Sequence, residues 1–142
     1  MVWEFFARLA VYGCVGVIME ILFTGFHSLI VLRDRSAISR TSLHMIPIYG
    51  LGAEGLGLLR MLLPQPYFFI PAAVLFIFAA EYASGWTLRK AGIKIWDYSH
   101  SKFSLHGLVR ADYLPFWLMV AVAYDILADF VTKILTFVGS MA

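Results

Sequence analysis

The sequence predicts an all-α fold: an integral membrane bundle of four transmembrane helices, with an interfacial cytoplasmic loop between helices 3 and 4. Three observations carry this expectation. Of the 142 residues, 61% are hydrophobic and the mean hydropathy is +0.82, well above the apolar share of about 45–50% found in soluble domains. Apolar stretches near the roughly 20 residues that cross a hydrocarbon core recur four times, leaving no room for a soluble domain. Basic residues gather in two of the connecting segments, as they do when charge sets topology.

The first span is expected at about 8–32, between the aromatic residues that follow Trp3 and the loop RDRSAISR, with Glu20 at its centre. The opening MVWEFFARLAVYG lacks the basic n-region and small-residue cleavage site of a secretory signal, so the N-terminus is expected to be retained and to lead straight into this span. Cys14 lies within it and reads as a small packing residue. The second span, about 44–63, is closed by Pro64 and Pro66 in a tight antiparallel connection. The third, about 67–88, holds FFIPAAVLFIFAA, with Pro71 near its first turn, where proline is tolerated. Glu81 and Gly85 follow before Arg89 and Lys90 end it. The fourth, about 114–137, begins with Pro115 and Trp117 and carries Asp125, Asp129 and Lys133. A single transmembrane domain is thus expected over 1–142.

Arg33, Arg35 and Arg40 lie in the first loop, and Arg89, Lys90, Lys94, Lys102 and Arg110 in the third, together eight of the eleven Lys and Arg residues. Both loops are therefore expected to be cytoplasmic in a multi-pass protein of the cell membrane, with the N- and C-termini on the opposite face. Arg8 and Arg60 are single and able to snorkel at the outer interface. A net charge of only +2, with no broad basic face, argues against nucleic acid as a partner.

Five of the nine carboxylates, Glu20, Glu54, Glu81, Asp125 and Asp129, fall inside the predicted spans. Charge is costly there, which makes Glu20, Glu54, Glu81 and Asp125 candidate substrate- or ion-binding groups. At about 1.5 Å per helical residue, Glu20, Glu54 and Asp125 each lie roughly 17 Å from the expected cytoplasmic end, near the middle of a core about 30 Å thick. Glu81 lies roughly 10 Å in, and Asp129 one turn beyond Asp125. Asp125, Asp129 and Lys133 repeat at i, i+4, i+8, which allows an Asp129–Lys133 pair. The glycine-rich PIYGLGAEGLGLL around Glu54 has two readings. One is close helix packing, with Ala53 and Gly57 as a small-xxx-small pair. The other is a broken helix whose freed backbone lines a polar site.

The segment AGIKIWDYSHSKFSLHGLVRADY mixes charges with Trp96, Tyr98 and Phe103, which suits a loop that folds back on the membrane or caps the bundle. His27, His44, His100 and His106 all fall toward that side. Histidines beside carboxylates can ligate a metal or move protons, but HEXXH is absent and none of these spacings is a metal signature, which favours interfacial hydrogen bonding. GxxxxGK[ST], GxSxG and CxxC are absent as well. The chain therefore carries no nucleotide-binding motif and implies no particular cofactor.

TSLHMIPIYGLG at 41–52, EYASGWTLRKAGIKIWDYS at 81–99 and HGLVRADYLPFW at 106–117 together resemble the transmembrane protein 229 family and the related bacterial CmpB-like group labelled ABC transporter type IV. The resemblance covers nearly the whole chain. It implies a multi-span membrane protein whose pattern includes Glu20, Pro47, Tyr49, Gly50, Glu81, Gly85, Trp96, Asp97, Tyr98, Ser99, Gly107 and Trp117. At His44 it implies an aromatic residue or a glycine, so the histidine grouping is a departure from the pattern.

Three functions are consistent with these residues. The first is a small-solute or ion transport or channel-like module using the intramembrane carboxylates. The second is a membrane enzyme acting on a lipid or isoprenoid at the cytoplasmic interface, where the loop's aromatic and basic side chains suit an anionic lipid. The third is an accessory subunit whose acids pair with a membrane partner. Besides the lipid bilayer, a homodimer or higher homo-oligomer is expected, because four helices make a thin wall for a pathway.

Overall fold

The computed structural model describes residues 2–140. Its elements run α1 (Val2–Ile30), α2 (Met45–Leu62), α3 (Pro66–Lys90), β1 (Ser104–Leu105), β2 (Val109–Arg110), a 3-10 turn (Ala111–Tyr113) and α4 (Leu114–Ser140). The chain divides into two compact units, Met1–Ala53 and Glu54–Ala142, with α2 continuing from one into the other.

Three helical stretches are long and apolar enough to cross a membrane: Val2–Ile30, Pro66–Lys90 and Ala111–Ser140. α2 is not among them. Its 18 residues measure about 27 Å, and Glu54, Arg60 and four glycines dilute their apolar character. Those glycines do not break it, because α2 is one uninterrupted helix. They serve close packing instead.

In the first unit, the segment after α1 returns along it. The Asp34 amide donates to Ser28 O at 3.0 Å, and the Ser39 hydroxyl to Ile21 O at 2.7 Å. The Thr41 hydroxyl then reaches Glu20 Oε2 at 2.7 Å. α2 next meets α1 backbone to backbone: a Cβ on Gly13 would stand 2.5 Å from Ile46 O, and one on Gly50 2.5 Å from Leu9 O. This loop is a strap. Its Ser39 and Thr41 hydroxyls satisfy a carbonyl and a carboxylate that α1 offers along its length. Cys14 is exposed on α1 and does not pack as expected.

In the second unit, Leu56, Phe69, Ala73, Val74 and Ala121 form the core, with Phe69, Ala73 and Ala121 fully buried. Ala73 and Ala121 lack side-chain bulk, so α3 and α4 approach closely. α2 fits against them through Gly55, which faces the Phe76 ring, and Gly57, where a Cβ would lie 3.1 Å from the Tyr124 hydroxyl. Pro66 opens α3 at a first-turn position that has no intrahelical donor to lose. At its other end the Ile93 amide bonds Leu88 O at 2.8 Å and the Gly92 amide bonds Arg89 O at 3.0 Å. Gly92 sits at φ +76°, which turns the chain out of the helix.

Candidate functional site

The loop between α3 and α4 is a closed hydrogen-bonded cap built around Gly107. That glycine adopts φ +68°, and a Cβ there would run into the Ser99 hydroxyl and lie 2.8 Å from Asp97 Oδ1. The short antiparallel ribbon, Ser104 opposite Arg110 and Leu105 opposite Val109, presents the carbonyls of 106–108 to the α3 side. Arg89 donates to His106 O at 2.7 Å and to Gly107 O at 2.8 Å. Tyr98 N bonds Gly107 O at 3.0 Å, and Trp96 Nε1 bonds Leu108 O at 2.9 Å. Trp96 and Leu108 then cover Gly85, where any Cβ would fall 2.9 Å from each.

Asp97 organises the near side of this cap. Its Oδ1 accepts from the Ser99 hydroxyl at 2.6 Å and the Ser99 amide at 2.9 Å, and its Oδ2 pairs with Lys94 at 2.6 Å. Arg89 stands at 3.4 Å from Oδ1. The Lys94 ammonium first, and the Ser99 donors after it, hold the Asp97 carboxyl far below the ordinary carboxylate range.

Glu81 lies beneath the cap and is treated differently by its surroundings. The Tyr98 side chain hydrogen-bonds its carboxylate. Trp117, from the first turn of α4, lies beside the same carboxylate without reaching hydrogen-bond geometry, so Glu81 Oε2 and Trp117 Nε1 are both buried without a partner. Tyr113 interacts electrostatically with Glu81 and packs edge-on against Tyr98, ring centroids 5.6 Å apart. The nearby cations are committed elsewhere: Arg89 and Lys94 to Asp97, and Arg110 to Asp112 at 2.5 Å. Among the described residues Glu81 has no ion pair.

A second polar cluster joins α2 to α4. Arg60 donates from Nε to Asp125 Oδ1 at 2.7 Å and from Nη1 to Asp129 Oδ1 at 2.8 Å. This changes two expectations. Arg60 does not stand alone to snorkel, and the ion pair of Asp129 is with Arg60, not with Lys133 one turn along its own helix. A planar guanidinium can serve two carboxylates one turn apart, which an ammonium on the same helix cannot match in geometry.

The remaining candidates separate by unit. Glu20 is half-buried in the first unit with Thr41 as partner; Tyr49 lies on Gly16 and Gly50 on Leu9 nearby, while Pro47 is exposed in the first turn of α2. Glu54 is half-buried on α2. His44 shares a hydrogen bond with Ser42 at 3.0 Å, and His106 with the Tyr82 hydroxyl at 2.9 Å; His27 and His100 are exposed. Among the described residues, no three His, Cys, Asp or Glu side chains gather where a metal could be held.

Glu81, Gly85, Trp96, Asp97, Tyr98, Ser99, Gly107 and Trp117, singled out from separate stretches of sequence, meet in this one cap and the helix ends beneath it. Arg89, Arg110 and Tyr113 belong with them and carried no signal of their own, since a basic residue at a span end reads as topology.

Apolar spans closed by such a cap define the class as a helical integral membrane protein. More particularly, residues 7–141 match the model of the family described as "Putative ABC-transporter type IV", and the chain belongs to that family. No solved structure matches it.

Proposed function

We propose that this chain is a membrane transport module for a small solute or ion, with Glu81 as its binding carboxylate. One observation carries the reading: every other acid of the cap, Asp97 and Asp112, holds a cation, while Glu81 has the Tyr98 and Trp117 side chains beside its carboxylate and, among the described residues, no ion pair. An uncompensated carboxylate within a membrane-spanning helix is costly, roughly 2.5–3.5 kcal/mol on insertion scales, and marks a pathway by default. The family description points to transport as well.

In the full reading all four helices span the membrane, the capped end faces the cytoplasm with both termini opposite, and copies of the chain assemble into an oligomer. The cap then works as a gate over Glu81, with Glu54 and Asp125 as further polar stations of the second unit and Glu20 as a candidate group within the first. In this reading α2 crosses despite its modest hydropathy because Arg60 is paired with the acids of α4, and Gly55 and Gly57 let it pack closely within the second unit.

Proteoliposome flux tests this. The parent protein is expected to carry at least one member of a panel of protons, alkali cations, amines, amino acids and carboxylates, and a folded Glu81→Gln protein to lose that flux. A parent that carries none of them, or a Glu81→Gln protein that carries each as well as the parent, overturns the reading.

A further inference from the structure

We infer that the hairpin of the cap, 103–109, is inserted into the leaflet at the capped end of α3, and that the lipid it meets there is anionic. α3 sets the scale of depth. Tyr67 near its start is 67% exposed and Trp86 near its end 49%; at 1.5 Å per residue they stand about 29 Å apart along the axis. That matches the thickness of a hydrocarbon core, with an aromatic ring at each edge. Lys90, one turn beyond, places its ammonium 3.8 Å from the Trp86 ring centroid, which keeps a cation at headgroup level.

The hairpin reaches deeper than that level. His106 Nδ1 shares a hydrogen bond with the Tyr82 hydroxyl at 2.9 Å, and Tyr82 lies one turn below Trp86 on the same helix, about 6 Å further in. Helical side chains lean toward the N-terminus, here the far side of the membrane, so Arg89 also points inward to reach the carbonyls of His106 and Gly107. Backbone at such depth must find its partners within the protein. It does: Phe103 O accepts from the Ala111 amide and Leu105 O from the Leu108 amide, His106 O and Gly107 O from Arg89, and Leu108 O from Trp96 Nε1. Beside this sealed backbone two large apolar side chains are left uncovered, Phe103 at 64% and Leu105 at 54% exposed, which suits the acyl boundary of a leaflet. The charge around them selects the lipid. Asp97 and Asp112 are paired with Lys94 and Arg110, while among the described residues the exposed Lys90 and Lys102 have no carboxylate partner. The surface beside the inserted hairpin is therefore positive and complements an acidic phospholipid.

Fluorescence quenching of a bimane label tests both parts, in the full-length protein carrying Cys14→Ser and reconstituted in lipid nanodiscs. Leu105→Cys reports the hairpin. Leu75→Cys, 71% exposed in the middle of α3, is the lipid-facing standard, and Ala91→Cys, exposed just beyond Lys90, the aqueous one. Lipid brominated high on the acyl chain is expected to quench the Leu105 label at least half as strongly as the Leu75 label and at least threefold more than the Ala91 label, with aqueous iodide giving the opposite order. When the bromine is carried by phosphatidylglycerol, quenching at Leu105 should be at least twofold that from the same mole fraction of brominated phosphatidylcholine, and Lys90→Gln with Lys102→Gln should bring the two lipids to parity. Should the labelled Leu105→Cys protein fail to fold, Phe103→Cys carries the same expectation. Iodide quenching at Leu105 equal to that at Ala91 overturns insertion, as does shielding from both quenchers, which would place protein over the hairpin. Equal quenching by the two lipids overturns the anionic assignment, and a preference that survives loss of both lysines overturns the part given to Lys90 and Lys102.

Discussion

Arg60 on α2 grips Asp125 on α4 at 2.7 Å, with the arginine side chain 31% and the aspartate 19% exposed. The same guanidinium holds Asp129, whose side chain is 64% exposed. One cation therefore serves two acids of unequal burial, and the three do not contribute equally. Removing the cation strands a charge in a poorly solvated place, whereas removing the exposed acid strands nothing.

Arg60→Met should accordingly destabilise the second unit by about 2–4 kcal/mol, somewhat short of a fully buried pair because water or headgroups still reach the arginine. Asp129→Asn should cost at most about 1 kcal/mol, in the range of exposed pairs. Thermal unfolding in detergent, followed by size-exclusion chromatography, gives the order: Arg60→Met well below the parent and Asp129→Asn close to it. The double variant Arg60→Met with Asp125→Leu should recover much of the loss, since the uncompensated charge is then gone. No recovery would show that the arginine acts through packing and not through its charge.

Gly107 and Gly92 both adopt positive φ, at +68° and +76°, but only Gly107 is walled in, by Ser99, Asp97 and Arg89. Alanine at Gly92 should cost about 1–2 kcal/mol, the left-handed backbone penalty alone. At Gly107 the added methyl must also displace the hydrogen-bonded Ser99 and Asp97, which adds about 1–3 kcal/mol of overpacking. Amide hydrogen exchange at Tyr98, whose N–H bonds Gly107 O, reports the difference: fast in Gly107→Ala and nearly parental in Gly92→Ala.

The helices were legible from apolar run length because membrane burial leaves few other ways to satisfy a backbone. Helix ends agreed closely at α2, expected at 44–63 and found at Met45–Leu62, although α2 is not among the stretches apolar enough to cross a membrane, whereas α1 begins at Val2, six residues before the expected 8. The long-range polar pairs were not legible. Asp129 has Lys133 at i+4, a local partner visible in sequence, yet Arg60, 69 positions away, holds it. Likewise Thr41 reads as a loop residue until the strap is seen lying along α1 against Glu20. Sequence spacing reports neighbours on one helix, whereas these contacts depend on which faces of two segments meet. The cap fell between these cases: its members could be named, but their convergence on Glu81 required the positive-φ turn at Gly107.

Two glycines of α2 should respond to alanine with opposite signs. At Gly50 a Cβ would stand 2.5 Å from Leu9 O and 2.8 Å from Leu9 Cγ, so α1 and α2 must separate, at a cost of about 1–3 kcal/mol. At Gly52 a Cβ meets nothing within 4 Å, and the gain in helix propensity, up to about 1 kcal/mol, is what remains. Melting temperatures on either side of the parent, Gly50→Ala lower and Gly52→Ala higher, are expected. Two shifts of the same sign would mean that these glycines are there for something other than the α1 contact.

Asp97 gives the cap a dependence on pH whose direction follows from its partners. Lys94 first, then Ser99, favour the charged carboxylate and lower its pKa from the ordinary 3.8. A lowered folded-state pKa means that the unfolded loop binds a proton more readily than the folded one. The stabilisation is therefore complete above about pH 4 to 5 and declines as pH falls below the ordinary carboxylate value toward the folded one. Exchange protection of the Tyr98 amide should be flat from neutral pH to about pH 5, after correction for intrinsic exchange rates, and fall progressively in more acid solution. Asp97→Asn should start lower at neutral pH, because the Lys94 pair is lost, and should lack most of the acid-dependent fall. A variant that keeps the full acid dependence would move its origin to another carboxylate.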